Sequence, residues 1–460
     1  MNILEKISEY IPSVKPPLVQ LTTEEKIKNT FIIIALYTLL ASIPIWGISP
    51  EISQRIQTLM LVIGSSFGTL ATLGVGPIIL AGILLQIFVG SGILNINIFT
   101  EEGKRKYDQY YKSLAFIFIL LEALVVVFSR GIVPMETIFI PTYIMYLIIY
   151  LQIVAGGIII LLLDDFSSKY GITSGINLII FTSISLYLTI RLFGWDFLTM
   201  QPSGYITNGI FQLLQGNILL GLSLLFASVF TFVLLILVSY LQGLKIEIPL
   251  FYINVGGKIQ KFTLNILYTS VIPVIFLYAI IIMVEQVFNF DQQNLIVTLV
   301  SPPHLLTNLG LYGPSYLYSP QIKYVPFLGQ VAIPFLPIIH TIFYLLLFIL
   351  GGIAFSKMWM IASGLDPATI AKQLMSSPVS SLRYRDPRVI EETLNKYVNP
   401  LAVVSGALVG TIAAIADIIG IPIVGTSLLL LLLIAYGMYM DLERNGALHL
   451  LPIVGKYLSK

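Results

Sequence analysis

Long apolar stretches alternate with short polar breaks along the whole chain. A helix that crosses a bilayer takes about 20 mostly apolar residues. Ten segments meet that length: roughly 28–47, 70–90, 113–130, 138–163, 172–193, 217–242, 263–285, 333–356, 400–419 and 422–440. Only Gly420, Ile421 and Pro422 separate the last two, which predicts a tight helical hairpin. Three stretches break the pattern. In residues 1–12, Ile3, Leu4, Ile7 and Ile11 share one helical face opposite Glu5, Lys6 and Glu9, the pattern of a helix lying in the membrane interface. Thr22 and Glu25 then have the spacing of a capping box that starts the first span. Residues 52–68, ISQRIQTLMLVIGSSFG, are too short and interrupted to span, yet too apolar for an ordinary loop. They run into the break Gly74-Val75-Gly76-Pro77. A short helix at membrane depth is tolerated only where it lines a cavity or is buried in protein, so 52–68 points to a cavity open to the outside. Residues 286–332 form a long outer connection rich in Pro, Gly and Tyr.

Charge orients these spans. With ten alternating crossings, 21 of the 25 Lys and Arg residues fall on one side, and only Arg55, Arg130, Arg191 and Lys323 fall on the other. The positive-inside rule puts that basic side, and both termini, in the cytoplasm. Adding or removing one span would scramble the segregation. Five spans precede the external connection 194–216 and five follow it. An odd number per half gives the halves opposite orientation, as in inverted-repeat channels and transporters. The expected organisation is therefore a cytoplasmic amphipathic segment (1–27), an N-terminal half (28–193, with 52–68), the external hinge (194–216), a C-terminal half (217–440, with cytoplasmic loops 243–262 and 357–399) and a cytoplasmic tail (441–460). The fold class is an all-α integral membrane protein, ten transmembrane helices in two inverted five-helix halves around a central pore.

Composition agrees and narrows the chemistry. Apolar residues make up 57% and charged residues 10%, against about 25% charged in soluble domains. A net charge of +2 gives no reason to expect DNA binding. Cysteine is absent, which removes disulfides, thiolate metal sites and cysteine nucleophiles. The N-terminus has no apolar core followed by a small-residue cleavage site, so the first span is expected to act as an uncleaved insertion signal. No Walker A loop, HExxH or nucleophile elbow occurs. His304, His340 and His449 have no second His at metal spacing. GITSG (171–175) has no His to serve it, and its glycines suit close helix approach. Neither an enzyme, a metal nor a cofactor is expected.

Ionisable residues inside spans are functional candidates by default. Glu122 stands well inside a span and Asp417 near an outer end. Glu122 reads either as a helix–helix hydrogen bond or as a gating group. Asp164 and Asp165 sit at a cytoplasmic helix end and are expected to be solvated. A secondary solute transporter, the alternative reading, would need a polar midplane site that the spans lack. An apolar pore suits a large, chemically variable cargo, since it offers no strong hydrogen bonds to trap it.

Several segments resemble one family. TLGVGPIILAGILLQIFVGSGI (72–93) is similar to the second-span signature of the SecY family, the channel-forming subunits of protein translocons. SKYGITSGINLII (168–180) resembles its fifth-span signature, and KIEIPL (245–250) and SGLDPATIAKQL (363–374) resemble its two large cytoplasmic loops. Order, spacing and topology match over essentially the whole chain, in a form most similar to archaeal members. The resemblance implies a protein-conducting channel in the cell membrane that moves unfolded secretory polypeptides across and releases transmembrane segments laterally into lipid. It implies a pore ring of aliphatic side chains at Val75, Ile79, Ile176, Ile180, Ile275 and Leu430. Such a ring dewets when empty and spreads around a passing chain. It implies a plug at 52–68, with Ile52, Arg55, Ile56, Leu59, Met60 and Ile63. The second, third, seventh and eighth spans would form a lateral gate, to which Leu80, Gln86, Glu122, Ser270 and Val271 belong. Leu80 and Val271 stand where similar archaeal proteins are polar, with Ser270 and Gln86 as candidate substitutes, and Asn177 replaces a usually small residue. Ribosome docking would fall to Lys245, Lys258, Lys261 and either Arg383 or Arg385. Lys245 stands where relatives often have Arg, which would lose bidentate phosphate contacts. SecE-like (gamma) and Sec beta subunits are implied partners, together with ribosomes, nascent chains and lipid, and without a cytosolic ATPase motor.

Overall fold

The computed structural model describes residues 8, 11–19, 21–48, 66, 68–90, 93–94, 96, 100–128, 134–135, 141–196, 200–253, 259–269, 272–288, 293–318, 320–325, 329–376, 381–382 and 387–444. The chain divides into two compact units, Met1–Leu186 with Ile434–Lys460, and Tyr187–Leu433. The first unit opens with α1 (Thr23–Ser42), where the expected capping box forms: Glu25 N donates to Thr22 Oγ1 at 3.3 Å and Thr22 N to Glu25 Oε2 at 2.9 Å. Those bonds hold the Glu25 carboxyl below its ordinary pKa. Helices α2 (Gly76–Gly90), α3 (Glu101–Phe128), α4 (Thr142–Tyr170) and α5 (Gly175–Phe193) follow. The core of this unit is aliphatic, with Ile33 of α1, Ile119 of α3 and Ile149 and Ile153 of α4 fully enclosed. Residues 43–48 and 68–75 lie side by side, with Leu70 N donating to Ile43 O at 3.0 Å and Ile45 N to Gly68 O at 2.8 Å. The two ends of the stretch between them are therefore pinned together.

The second unit begins within α5. There Arg191 Nε donates to Pro422 O at 3.2 Å and its guanidinium lies 5.4 Å over the Tyr205 ring. The elements that follow are β1 (Trp195–Asp196), β2 (Gln201–Pro202), α6 (Tyr205–Leu214), α7 (Ile218–Gly243), β3 (Lys245–Ile253), β4 (Ile259–Asn265), α8 (Ile272–Val287), α9 (Leu295–Val300) and α10 (Leu305–Tyr312). A 3-10 turn (Pro314–Leu317) leads to the hairpin β5 (Gln321–Val325) and β6 (Gly329–Ile333). Then come α11 (Leu336–Ala362), α12 (Pro367–Ser376), β7 (Ser381–Leu382) and α13 (Pro387–Ile419), and α14 (Gly425–Arg444) ends the described chain in the first unit.

Every apolar segment read from the sequence overlaps a helix, but several boundaries move. Among the described residues seven helices are long and apolar enough to cross a membrane: α3, α4, α5, α7, α11, α13 and α14. Helices α2 and α8 are apolar but shorter. Residues 70–75 are turn, and α2 starts where Pro77 can occupy the first helical turn without a missing hydrogen bond. Residues 263–265 belong to β4, paired antiparallel with β3, so α8 starts only at Ile272, beside Pro273. The segment 400–419 is the second half of the 33-residue helix α13, which carries Pro400 inside it. The capping-box spacing and the turn before α14 are local signals, whereas the start of α8 depends on strand pairing.

Candidate pore and gate residues

Asp164 and Asp165, expected in solvent, are buried at 5% and 9% exposure. The reason is that each has several partners in the first unit. Asp164 Oδ1 accepts the Ile176 N–H at 2.9 Å, and its Oδ2 accepts the Tyr111 hydroxyl at 3.2 Å. A carboxylate there satisfies an open N–H of the first turn of α5 and meets the positive end of its dipole. The approach requires glycine at the start of α5, since a Cβ on Gly175 would stand 2.3 Å from Asp164 Cα. Asp165 gathers charge instead. Its Oδ1 lies 2.7 Å from Lys169 Nζ and 3.1 Å from Lys112 Nζ, and its Oδ2 accepts Val14 N at 2.8 Å. Lys112 also pairs with Asp108 at 2.9 Å, Lys169 Nζ donates to Val14 O, and the Tyr170 hydroxyl donates to Lys15 O at 3.0 Å. The N-terminal segment is thereby strapped to the end of α4.

The second unit contains the same construction around Asp417. Its side chain, 1% exposed, accepts the Gly425 N–H through Oδ1 at 2.7 Å and the Tyr344 hydroxyl through Oδ2 at 2.7 Å. Gly425 opens α14, and a Cβ on it would come within 2.4 Å of Ala413 O. The Asp417 carbonyl also accepts the His304 N–H at 3.2 Å. In each unit a tyrosine from one helix and an aspartate from a second cap a third helix that begins with glycine. Neither tyrosine was singled out by the sequence. Its only signal was an Asp late in an apolar segment, followed by a glycine-bearing break.

These capped helices carry candidate ring residues. Ile176 and Ile180 stand four apart on α5, which puts them on one helical face. Ile176 is half-buried and Ile180 buried. Val75 is buried in the turn before α2, its carbonyl accepting the Ile79 N–H at 3.0 Å, and Ile79 is half-buried. In the second unit Ile275 on α8 and Leu430 on α14 are both half-buried. Of the residues expected at the gate, Leu80 is 45% exposed on α2 and Glu122 is half-buried on α3. Gln86 lies in α2, but its side chain, like Ser270 and Val271 altogether, lies outside the described residues. Beside them, buried Thr269 Oγ1 hydrogen-bonds Ser356 Oγ at 2.7 Å and Ser405 Oγ at 3.2 Å, a hydroxyl cluster the sequence reading missed. The residues expected to form a plug, Ile52, Arg55, Ile56, Leu59, Met60 and Ile63, lie outside the described residues, as do Lys258, Arg383 and Arg385.

The two loops expected to dock a partner share one base. Strand β3 pairs with β4 and, through Tyr252↔Leu382 and Ile253↔Ser381, with β7. Ile248 and Leu264 pack with Met360, Ile370, Ile390, Leu394 and Val398 in a single hydrophobic core. Lys245 is exposed at the start of β3, and Lys261 lies in β4. Strand β7 directly precedes Arg383, so both loops rise from one platform that was read as two separate connections.

A SecY family model matches residues 69–439. The protein translocase subunit SecY of Methanocaldococcus jannaschii is 31% identical, with all of both chains covered. A solved structure of a protein-conducting channel is 29% identical at a TM-score of 0.66, covering 98% of this chain and 99% of that one. The canine Sec61 of a ribosome–channel complex from the endoplasmic reticulum is 29% identical at a TM-score of 0.65, with the same coverage. With the glycine-bounded α2, the capped α5 and the paired strands β3, β4 and β7 all inside the matched region, the chain belongs to the SecY family.

Proposed function

We propose that this chain is the channel-forming subunit of a protein translocon, conducting unfolded secretory polypeptides across the cell membrane and releasing apolar segments sideways into lipid. The likeness to a protein-conducting channel over 98% of the chain carries the reading. In this reading ten spans form two inverted five-helix halves, 28–193 and 217–440, joined by the external hinge 194–216. The amphipathic segment 1–27 and the tail 441–460 are cytoplasmic. The recurrence of the Tyr–Asp–Gly cap supports the inversion, because alternating spans put Asp164 at a cytoplasmic end and Asp417 at an outer one.

The six aliphatic side chains Val75, Ile79, Ile176, Ile180, Ile275 and Leu430 form the constriction, and 52–68 seals it from outside. An apolar ring excludes ions by dewetting and has no hydrogen bonds to trap a passing chain. The driving force for lateral release is transfer of apolar surface out of water, about 25 cal/mol per Å². The gate is lined by Leu80, Gln86, Glu122, Ser270 and Val271. Ribosomes dock on the β3–β4–β7 platform through Lys245, Lys258, Lys261 and either Arg383 or Arg385, and the SecE-like and Sec beta subunits complete the complex. The canine relative occurs in a ribosome–channel complex, which supports the docking face. Contacts of Lys and Arg with phosphate weaken steeply with salt.

The absence of cysteine makes the test clean. Single Val75→Cys, Ile79→Cys and Ile275→Cys variants, each carrying a photocrosslinker, are expected to trap a stalled secretory chain. Crosslinks found elsewhere and at none of these positions would overturn the pore assignment.

A further inference from the structure

The two buried aspartates lie outside the proposed ring, yet each caps a helix that bears part of it. Asp164 binds the Ile176 N–H itself, so the first ring residue of α5 is also the capped residue. Asp417 binds the N–H of Gly425, five residues before Leu430 on α14. In both places a glycine lets the helix start press against the capping helix, and a tyrosine hydroxyl occupies the second carboxylate oxygen. A helix held at its first turn by one short bond and close backbone contact has little freedom to slide or rotate. Its aliphatic side chains then keep a fixed depth. A dewetted constriction depends on that depth, since displacing one residue by a fraction of a helical turn opens a path for water.

We propose that Asp164 and Asp417, each with its tyrosine, are positioning residues that set the axial depth of the ring side chains on α5 and α14 and thereby keep the resting channel tight to ions. The proposal rests on the channel reading above. It makes the caps part of the seal without contact with cargo, and it assigns the same task to two sites that share no sequence motif.

The experiment measures resting ion conductance of the purified complex in planar bilayers, alongside translocation by the same preparation. Asp164→Ala and Asp417→Ala are each expected to raise resting conductance about tenfold, the change that roughly 1.4 kcal/mol makes in an equilibrium. Asp164→Asn and Asp417→Asn keep an acceptor oxygen for the helix N–H and are expected to stay near wild type. Ile149→Ala, which cuts a fully buried side chain of α4 away from either cap, controls for lost stability and is expected not to leak. Should an alanine variant fail to assemble, Tyr111→Phe and Tyr344→Phe keep the helix cap and are expected to leak two- to threefold (roughly, the effect of one hydrogen bond). Alanine and phenylalanine variants as tight as wild type, asparagine variants as leaky as alanine, or equal leakage from Ile149→Ala would each overturn the proposal. A wild-type complex that neither conducts on opening nor translocates would instead overturn the channel reading.

Discussion

The caps at Asp164 and Asp417 use the same three parts in different surroundings. In the first unit the cap borders Asp165, Lys112 and Lys169, and the N-terminal segment 11–17 is tied to the same cluster through Val14 and Lys15. In the second unit Asp417 and Tyr344 are enclosed, and the two bonds of the carboxylate are both 2.7 Å. The tyrosine bond in the first unit is longer, at 3.2 Å, and part-buried. A cap beside neighbouring charges can exchange partners when one is removed, while an enclosed cap cannot. The difference between them is therefore one of redundancy, and substitutions can test it.

Asp417→Ala is expected to have the largest effect on stability. It leaves the Gly425 N–H and the Tyr344 hydroxyl without an acceptor in a closed site, at about 1–3 kcal/mol each. Asp164→Ala is expected to cost clearly less, because the Tyr111 hydroxyl can turn toward the polar edge. Unfolding midpoints in lipid nanodiscs measure both, and equal losses would erase the contrast. Asp165→Ala comes next, at about 1–3 kcal/mol for a buried charge whose two lysines lose a partner. Lys112 keeps Asp108, so the loss falls mainly on Lys169 and the strap. Hydrogen exchange is expected to rise in residues 11–17 and hardly at all in α3. Protection unchanged in 11–17 would mean that the strap is held by other contacts.

A smaller effect separates the tyrosines. Tyr344→Phe is expected to cost about 1 kcal/mol and Tyr111→Phe less than half of that, in line with the lengths and enclosure of their bonds. The smallest effect concerns the exposed box at Thr22 and Glu25. Its hydrogen bonds lower the Glu25 pKa, so the unfolded chain binds the proton more readily than the folded one. The stabilisation is present above the ordinary carboxylate pKa and is lost as pH falls through the lowered folded value. Amide protection at residues 23–26, relative to the intrinsic exchange rate at each pH, is expected to fall on acidification below about pH 4, and Glu25→Gln, which removes the titrating carboxyl, is expected to abolish that pH dependence. A pH response that survives Glu25→Gln would assign it to another carboxyl.

The division between legible and illegible features follows the range of the interactions. The Thr22–Glu25 box spans three residues, and its chemistry is complete within them. The Gly420-Ile421-Pro422 turn likewise announces itself. Asp164 and Asp165 were misread because burial of a carboxylate depends on what is brought to it: Tyr111 lies 53 residues away and Val14 lies 151 from Asp165. The start of α8 was misread for a similar reason, since residues 263–265 were counted in a span but belong to β4, which pairs with β3. The proposed ring residues Val75, Ile79, Ile176, Ile180, Ile275 and Leu430 carry no signal as residue types, because Ile, Leu and Val fill every apolar segment. Only the register of the surrounding motifs picked them out.

By itself the sequence determined that this chain lives in a bilayer and where its apolar segments lie, and the 21 of 25 basic residues that ten alternating spans would put on one side set the expectation of which way it faces. Transfer free energy and the positive-inside rule act on local composition, so neither needs a folded structure. Tertiary structure decided that two aspartates of unlike sequence context do the same work, that a strap joins the N-terminus to α4, and that two distant loops form one platform. Each of these depends on donors and acceptors meeting within about 3 Å, a condition set by helix packing and strand register and invisible in the order of residues.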